Sequence, residues 1–278
     1  MIKDETAQTK SVEICERTAY RNPPVVERVV VVNADMSEEQ FASGMESWES
    51  IVKQEYPNEE PIIKWSLNME ERDGVPLFET MQPELQITPR HARKPKLEGF
   101  DWSIRSPRGR FVMNMHSEHG TRRRYVHLRN ECARWLPHWF EHFRITTPTE
   151  VSLLYVNHLR LDLTPGLYEP GGALLLEDTL TIFSAVPGVH EAIIPPLDCR
   201  MNVRLIGPPV AQMQIRLRDL KSRSQAPALG LYLQTVAKVP ADARPDGILE
   251  LLDWSHERIL ERFDVLFTED AKKSFDPE

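Results

Sequence analysis

From Val25 to Val32 the chain reads VVERVVVV, a β-branched run that predicts a largely buried strand, and Asn22-Pro23-Pro24 leads into it. Directly after it, Ser37 and Gln40 stand at capping-box spacing, with Met36 and Phe41 placed to form a hydrophobic staple around the cap. Phe41, Met45, Trp48 and Val52 then recur at helical intervals. Tyr56-Pro57 closes that helix, because a residue before proline avoids the α region.

Pro61–Met69 reads as a second strand and Phe100–Arg105 as a third, separated by an irregular connection that passes through Arg90-His91-Ala92-Arg93-Lys94-Pro95-Lys96. Arg110–His116 and Arg122–Leu128 both alternate. A turn centred on Glu118–Thr121 would make them a hairpin in which Met113 faces Val126 and Phe111 faces Leu128. One side of that hairpin is then apolar, and the other carries Asn114, His116, Tyr125 and His127. Trp135, Leu136, Trp139, Phe140 and Phe143 predict a following helix that Pro137 either kinks or opens. Thr149–Leu163 is a long strand with Val151, Leu153, Tyr155, Leu159, Leu161 and Leu163 on one face and Asn157 among them. Glycines and prolines punctuate the next stretch, where Leu180–Ala185 reads as a short strand.

The alternation is strictest in Cys199–Leu205, Ala211–Leu217 and Leu229–Ala237, three strands of an antiparallel meander. Pro245-Asp246-Gly247 opens a last helix with Asp246 as its expected N-cap, and its seam is Leu249, Leu252, Ile259, Leu260, Phe263 and Leu266. There is no βαβα alternation. The fold class is therefore α+β: antiparallel sheets packed by helices, in two sheet-plus-helix halves, the second a C-terminal β-meander followed by a long helix. The expected division is a frayed tail over residues 1–20, an N-terminal half over 21–163 and a C-terminal half over 164–278, the halves being separable or one continuous domain.

With 278 residues, 41% hydrophobic and 27% charged, the chain is long enough for a full core and ordinary in makeup. The net charge of −8 argues against general nucleic-acid binding, which needs clustered Lys and Arg. Cys15, Cys132 and Cys199 have no metal or disulfide spacing, and the N-terminus has no apolar core of a signal peptide. The longest apolar stretches, around Ala173–Leu176 and Ile193–Leu197, are too short to span a bilayer. A cytoplasmic protein without membrane contact is expected.

Three segments together carry a resemblance. Asn22-Pro23-Pro24-Val25-Val26-Glu27 opens the first strand, Leu154-Tyr155-Val156-Asn157 lies in the central one, and Asp253-x-x-His256 leads through Phe263 to Phe267-Thr268. In this order they resemble a sporadically distributed bacterial family of similar length. Its members share an NPPIVE-like strand, a RYIN-like strand and a closing helix ending in F…IT. The likeness runs from about residue 20 onward; Leu154 replaces the usual Arg, and Leu266-Phe267-Thr268 stands where Ile-Thr is usual. That family has no assigned activity, so the resemblance implies the span of the fold and no catalytic residue. Its patchy occurrence suits an accessory role in a defence or mobile gene system.

Four constellations could carry chemistry. His138-Trp139-Phe140-Glu141-His142 matches the H-x-x-E-H pattern of inverted zinc proteases, a metal-dependent hydrolase reading. No Glu stands between Glu191 and Glu250 to supply the further ligand, and Glu141 points away from the core stripe, so a solvated helix face is preferred. His116, Glu118, His119 and His127 form a second polar cluster, preferred as a wet sheet face over a metal site. Asn157 and His256 fall on apolar seams and are expected to be buried, hydrogen-bonded structural groups. There is no G-x-S-x-G nucleophile, and neither a cofactor nor catalysis is expected.

The fourth is the polar parity of the meander: Arg200, Asn202, Arg204, Gln212, Gln214, Arg216, Arg218, Tyr232, Gln234 and Lys238. Counted from Cys199, that face holds five cations and no carboxylate. Arg forks, amides and a Tyr suit recognition of an acidic surface. The reading that follows is a binding or adaptor protein acting through a protein partner, with Arg200, Arg204, Gln214, Arg216, Arg218 and Tyr232 as the contact residues. A nucleic-acid-binding component using the same face with Arg90, Arg93, Lys94, Lys96 and Arg122–Arg124 is the alternative.

Overall fold

A computed structural model of the chain describes residues 24–61, 69–72, 75–78, 89–92, 101–116, 125–160, 164–168, 174, 176–181, 198–220 and 228–275. The strands are β1 (Val25–Ala34), β2 (Asn58–Pro61), β3 (Met69–Arg72), β4 (Val75–Phe78), β5 (Pro89–Ala92), β6 (Asp101–Arg105), β7 (Arg110–His116), β8 (Pro148–Arg160), β9 (Asp198–Leu205), β10 (Ala211–Asp219) and β11 (Ala228–Lys238). Nine of them form one sheet in the order β2-β5-β6-β7-β1-β8-β11-β10-β9, and β3 and β4 pair separately. Every neighbouring pair in the sheet is antiparallel. The α+β class with antiparallel strands therefore holds, and the pairing of β8 with β11 joins the two halves into one sheet.

The helices are α1 (Glu38–Glu55), α2 (Tyr125–His142), the short α3 (Leu176–Thr179), α4 (Pro245–Leu266) and α5 (Glu269–Ser274). One row of side chains shows how the sheet serves the core. Ile104, Met113, Val30, Leu153, Thr235, Met213 and Val203 stand opposite one another in succession from β6 to β9. All but Val203 are buried, so alternation in each strand delivers one continuous inner face.

The cap of α1 forms as its residues require. Ser37 Oγ accepts from the Gln40 N–H, and Gln40 Oε1 accepts from the Ser37 N–H. Trp48 then meets Trp135 and Phe111 with ring centroids 5.9 and 6.5 Å apart, and Tyr56 meets Trp135 at 5.6 Å. Gly44 allows α1 this close to α2: a Cβ there would lie 2.6 Å from the His142 carbonyl oxygen and 2.7 Å from the Phe143 ring.

Two expectations are corrected and one is narrowed. Arg122–Leu128 is not a strand of a hairpin; from Tyr125 it belongs to α2, and β7 pairs with β1 and β6 instead. Tyr125, Leu128, Cys132, Trp135, Leu136 and Trp139 are buried at helical spacing while Val126 is 46% exposed, so the helical period outweighs four alternating residues. Pro137 consequently lies inside the helix rather than in its first turn, tolerated where buried residues on both sides hold the helix to the sheet. At α4 the N-cap is Arg244 without a side-chain bond; Pro245 takes the first helical turn, where its missing N–H costs nothing, and Asp246 faces the helix dipole from that turn.

Of Leu180–Ala185, Leu180 makes a single bridge to Phe267 after α3, and residues 182–185 lie outside the described residues. So do most of Pro61–Met69 and Leu161 and Leu163. The meander and the seam of α4 stand as expected, with Leu249, Leu252, Ile259, Phe263 and Leu266 buried and Leu260 half-buried. No described helix is long and apolar enough to cross a membrane.

Candidate functional site

The outer face of β9, β10 and β11, turned away from the helices, gathers the side chains that alternation assigns to it. Arg200 stands opposite Arg216, and Arg216 opposite Tyr232. One residue pair further along, Gln214 lies between Asn202 and Gln234, and Gln212 between Arg204 and Val236. Arg218 lies between Asp198 and Gly230. Gly230 has no side chain because Tyr232 folds back over it: a Cβ there would lie 2.9 Å from the ring and 3.2 Å from the hydroxyl. Arg216 and Arg218 thus flank the edge of an aromatic ring on an open sheet surface.

Exposure separates the arginines. Arg204 and Arg218 are exposed, the Arg200 side chain is 65% exposed and that of Arg216 is 32% exposed. Gln214 and Tyr232 are half-buried between them, and Gln234 is engaged, donating to Ser152 Oγ at 2.7 Å.

The face is not free of carboxylates, and Asp198 is the reason. It is the first residue of β9 and shares the parity of Arg200. The Arg216 guanidinium donates to it through both Nε and Nη2, at 3.1 and 2.7 Å, while Arg200 Nε lies 3.5 Å away. The Arg216 bond holds the Asp198 carboxyl below the usual carboxylate range, and Asp198 in turn raises Arg216. On the same side of the sheet Glu150 stands opposite Lys238 and accepts from Asn33 Nδ2 at 3.3 Å. Glu27 pairs with the Asn114 amide. His158, opposite Gly230, is kept below the ordinary histidine range, first by burial and then by Arg160 and His116. An acidic ligand would therefore meet a patch centred on Arg200, Arg204 and Arg218, with Arg216 held in place by Asp198.

A second polar assembly lies on the helix side and escaped the sequence reading. Tyr125 at the start of α2 stacks on His256 of α4, ring centroids 4.1 Å apart. The Tyr155 hydroxyl of β8 is 2.8 Å from His256 Nδ1. Asp253, one turn before His256, accepts from the Tyr125 hydroxyl at 3.0 Å and from Arg129 Nε at 2.7 Å. Arg28 of β1, directly opposite Tyr155, places its guanidinium 5.0 Å from the centre of that ring. Burial pushes the Tyr155 hydroxyl up to about 12, and burial with Asp253 pushes Tyr125 well above the ordinary tyrosine value. Both phenols remain neutral, Tyr125 donating to Asp253, and the assembly ties β1, β8, α2 and α4 together.

Asn157 is 0% exposed, as its parity requires, and donates to the Leu231 carbonyl at 3.1 Å across the β8–β11 seam. His256 is half-buried and bonded to Tyr155 rather than sealed in the core. His138 and Glu141 are exposed on α2, whereas His142 Nδ1 lies 2.8 Å from Ser47 Oγ on α1. His127 is on the exposed side of α2 and His116 ends β7, 4.0 Å from Asp101, so the supposed strand-to-strand histidine cluster is taken apart by the helix. Glu118 and His119 lie outside the described residues, as do the side chains of Arg90, Arg93, Lys94, Lys96 and Arg122–Arg124. Among the described residues no three His, Cys, Asp or Glu side chains converge on a metal-sized site.

No family model, no curated protein and no solved structure matches the chain.

Proposed function

We propose that the protein is a binding or adaptor protein that docks the acidic surface of a protein partner on the outer face of β9–β11. One observation carries this reading: Arg200, Arg204 and Arg218 project from one side of two adjacent strands and stay exposed. The net charge is −8, so a local cationic face stands against the charge of the whole chain. Arginine forks beside Tyr232 and Gln214 suit bidentate pairing with carboxylates. A protein partner is favoured over a nucleic acid because Asp198 occupies Arg216 and Glu27 and Glu150 stand on the same side of the sheet. A phosphate backbone would meet those charges as repulsion.

The test is the pair Arg200→Glu and Arg218→Glu in the full chain, assayed against the partner recovered from the native host. Exposed side chains on a sheet surface tolerate such changes within about 0.5 kcal/mol each, so folding should persist. Affinity should fall at least tenfold, since like charges at an interface cost several kcal/mol. Unchanged affinity in the folded variant would end the proposal. A complex that nuclease treatment dissolves would transfer the face to nucleic acid.

A further inference from the structure

β9 ends the sheet. It pairs with β10 in unbroken register from Asp198 to Leu205, and among the described residues no strand pairs with its other edge. The strand contains no proline, no lysine and no bulge, three of the devices that protect such edges. Its inner residues Met201 and Val203 are only half-buried, whereas Ile215 and Met213, their partners on β10, are 3% and 1% exposed. Among the described residues, the core therefore stops one strand short of full cover at β9.

We infer that β9 is completed by β9 of a second copy, pairing antiparallel across a two-fold axis through Met201. Only axes through Met201 and Asn202 pair all but one residue of the strand, and between these the charge sequence selects Met201. Two identical strands keep their outer faces aligned only when the axis passes through a residue, because each one-residue slip exchanges the faces. An axis through Arg200 sets that arginine against itself. An axis through Asn202 sets Arg200 against Arg204 twice. With the axis through Met201, Asp198 faces Arg204 of the second copy and Arg200 faces its Asn202, and no cation opposes a cation. On the inner side Cys199 then faces Val203, and Met201 meets its own copy, which covers the half-buried flank. Asp198 has room for this partner, since a carboxylate accepts about four hydrogen bonds, of which Arg216 takes two and Arg200 a third. Arg218 stays outside the new seam, whereas Arg200 and Arg204 border it, so only Arg218 reports on the docking face independently of the dimer.

The experiment uses sedimentation of the full chain over a concentration series with two single variants. The wild type should dimerise. Arg204→Asp sets Asp198 against an aspartate, and Asp198→Arg sets Arg204 against an arginine, so each variant alone should be weakened at least tenfold toward monomer. Mixed together, the two should form a heterodimer, because every opposed pair is again of unlike sign. Should Asp198→Arg misfold, Met201→Cys in a Cys15→Ser/Cys199→Ser background replaces it, and oxidation should give a covalent dimer through residue 201. A wild type that is monomeric at every concentration overturns the inference. So does a dimer indifferent to Arg204→Asp, or a pair of folded variants that ignore each other. Arg218→Glu alone lies outside the seam, so its effect on partner binding tests the docking face separately from these results.

Discussion

The Tyr155 hydroxyl lies 2.8 Å from Nδ1 of His256, joining β8 to α4 across 101 residues of chain. Asp253, one turn before His256 on the same helix, accepts from the hydroxyl of Tyr125, whose ring stacks on His256. Asn157, two residues along β8, stands opposite Val25 at the opening of β1.

That bond should be measurable as a coupling. Tyr155→Phe removes the hydroxyl from a site only 3% exposed and should cost about 1 kcal/mol, the net worth of an ordinary hydrogen bond. His256→Phe keeps an aromatic ring beside Tyr125 and loses the same bond. In a double-mutant cycle by urea denaturation the two costs should overlap by about 1 kcal/mol. Full additivity would show that the contact contributes nothing.

Alkaline titration tests the burial of the two phenols. Tyr125 and Tyr155 should ionise only above the pH at which an exposed tyrosine does, as followed by phenolate absorbance in Tyr125→Phe and Tyr155→Phe difference titrations. Both folded values are raised above 10.0, so their contribution to stability is complete below that pH. It is lost as pH rises from 10.0 through about 12, where the unfolded chain releases protons that the folded one retains. The midpoint of thermal unfolding should fall across this window, less steeply in Tyr155→Phe.

Gly44→Ala probes the contact of α1 with α2. In an open helix this change is stabilising, by about 0.5–1 kcal/mol. Here the new Cβ would sit 2.6 Å from a backbone oxygen, so α1 must shift and the sign should reverse, to a loss of about 1–3 kcal/mol. A stabilised variant would mean that the helices are further apart.

Phe263→Ala should be the most costly of the set. The ring is 7% exposed and packs on Phe267 and Phe275, with centroids 4.5 and 5.8 Å away. Loss of the ring with only partial collapse around it costs about 3–5 kcal/mol. Denaturation of the purified variant decides the matter, and a loss below about 1 kcal/mol would show that α4 is not pinned at this end.

The elements most legible in the sequence were those whose period is unambiguous. The Val25–Val32 run, the Ser37/Gln40 box and the three alternating strands formed where they were expected. The start of α2 was misread because Tyr125-Val126-His127-Leu128 alternates over just four residues, too few to separate period two from period 3.6. Asp198 was missed on the candidate face for a local reason: counting the strand from Cys199 left out the carboxylate beside it. Of the Tyr125–His256–Tyr155 assembly only His256 gave a signal, its place on an apolar seam, and nothing local named its partners. Its members lie on three elements far apart in the chain, and only their packing makes them neighbours.

β8 pairs along its 13 residues with a strand made before it and with one made long after it. During synthesis β1 and β7 are already available when β8 emerges, but β11 follows only after residues 161–227 have been translated. At about 5–20 residues per second, the nascent chain presents a long unpaired edge for seconds, with Leu153 and Tyr155 still lacking their cover from α4. A ribosome stalled in that interval would release a sticky product, so premature stops between β8 and β11 should yield aggregates rather than a soluble half-protein.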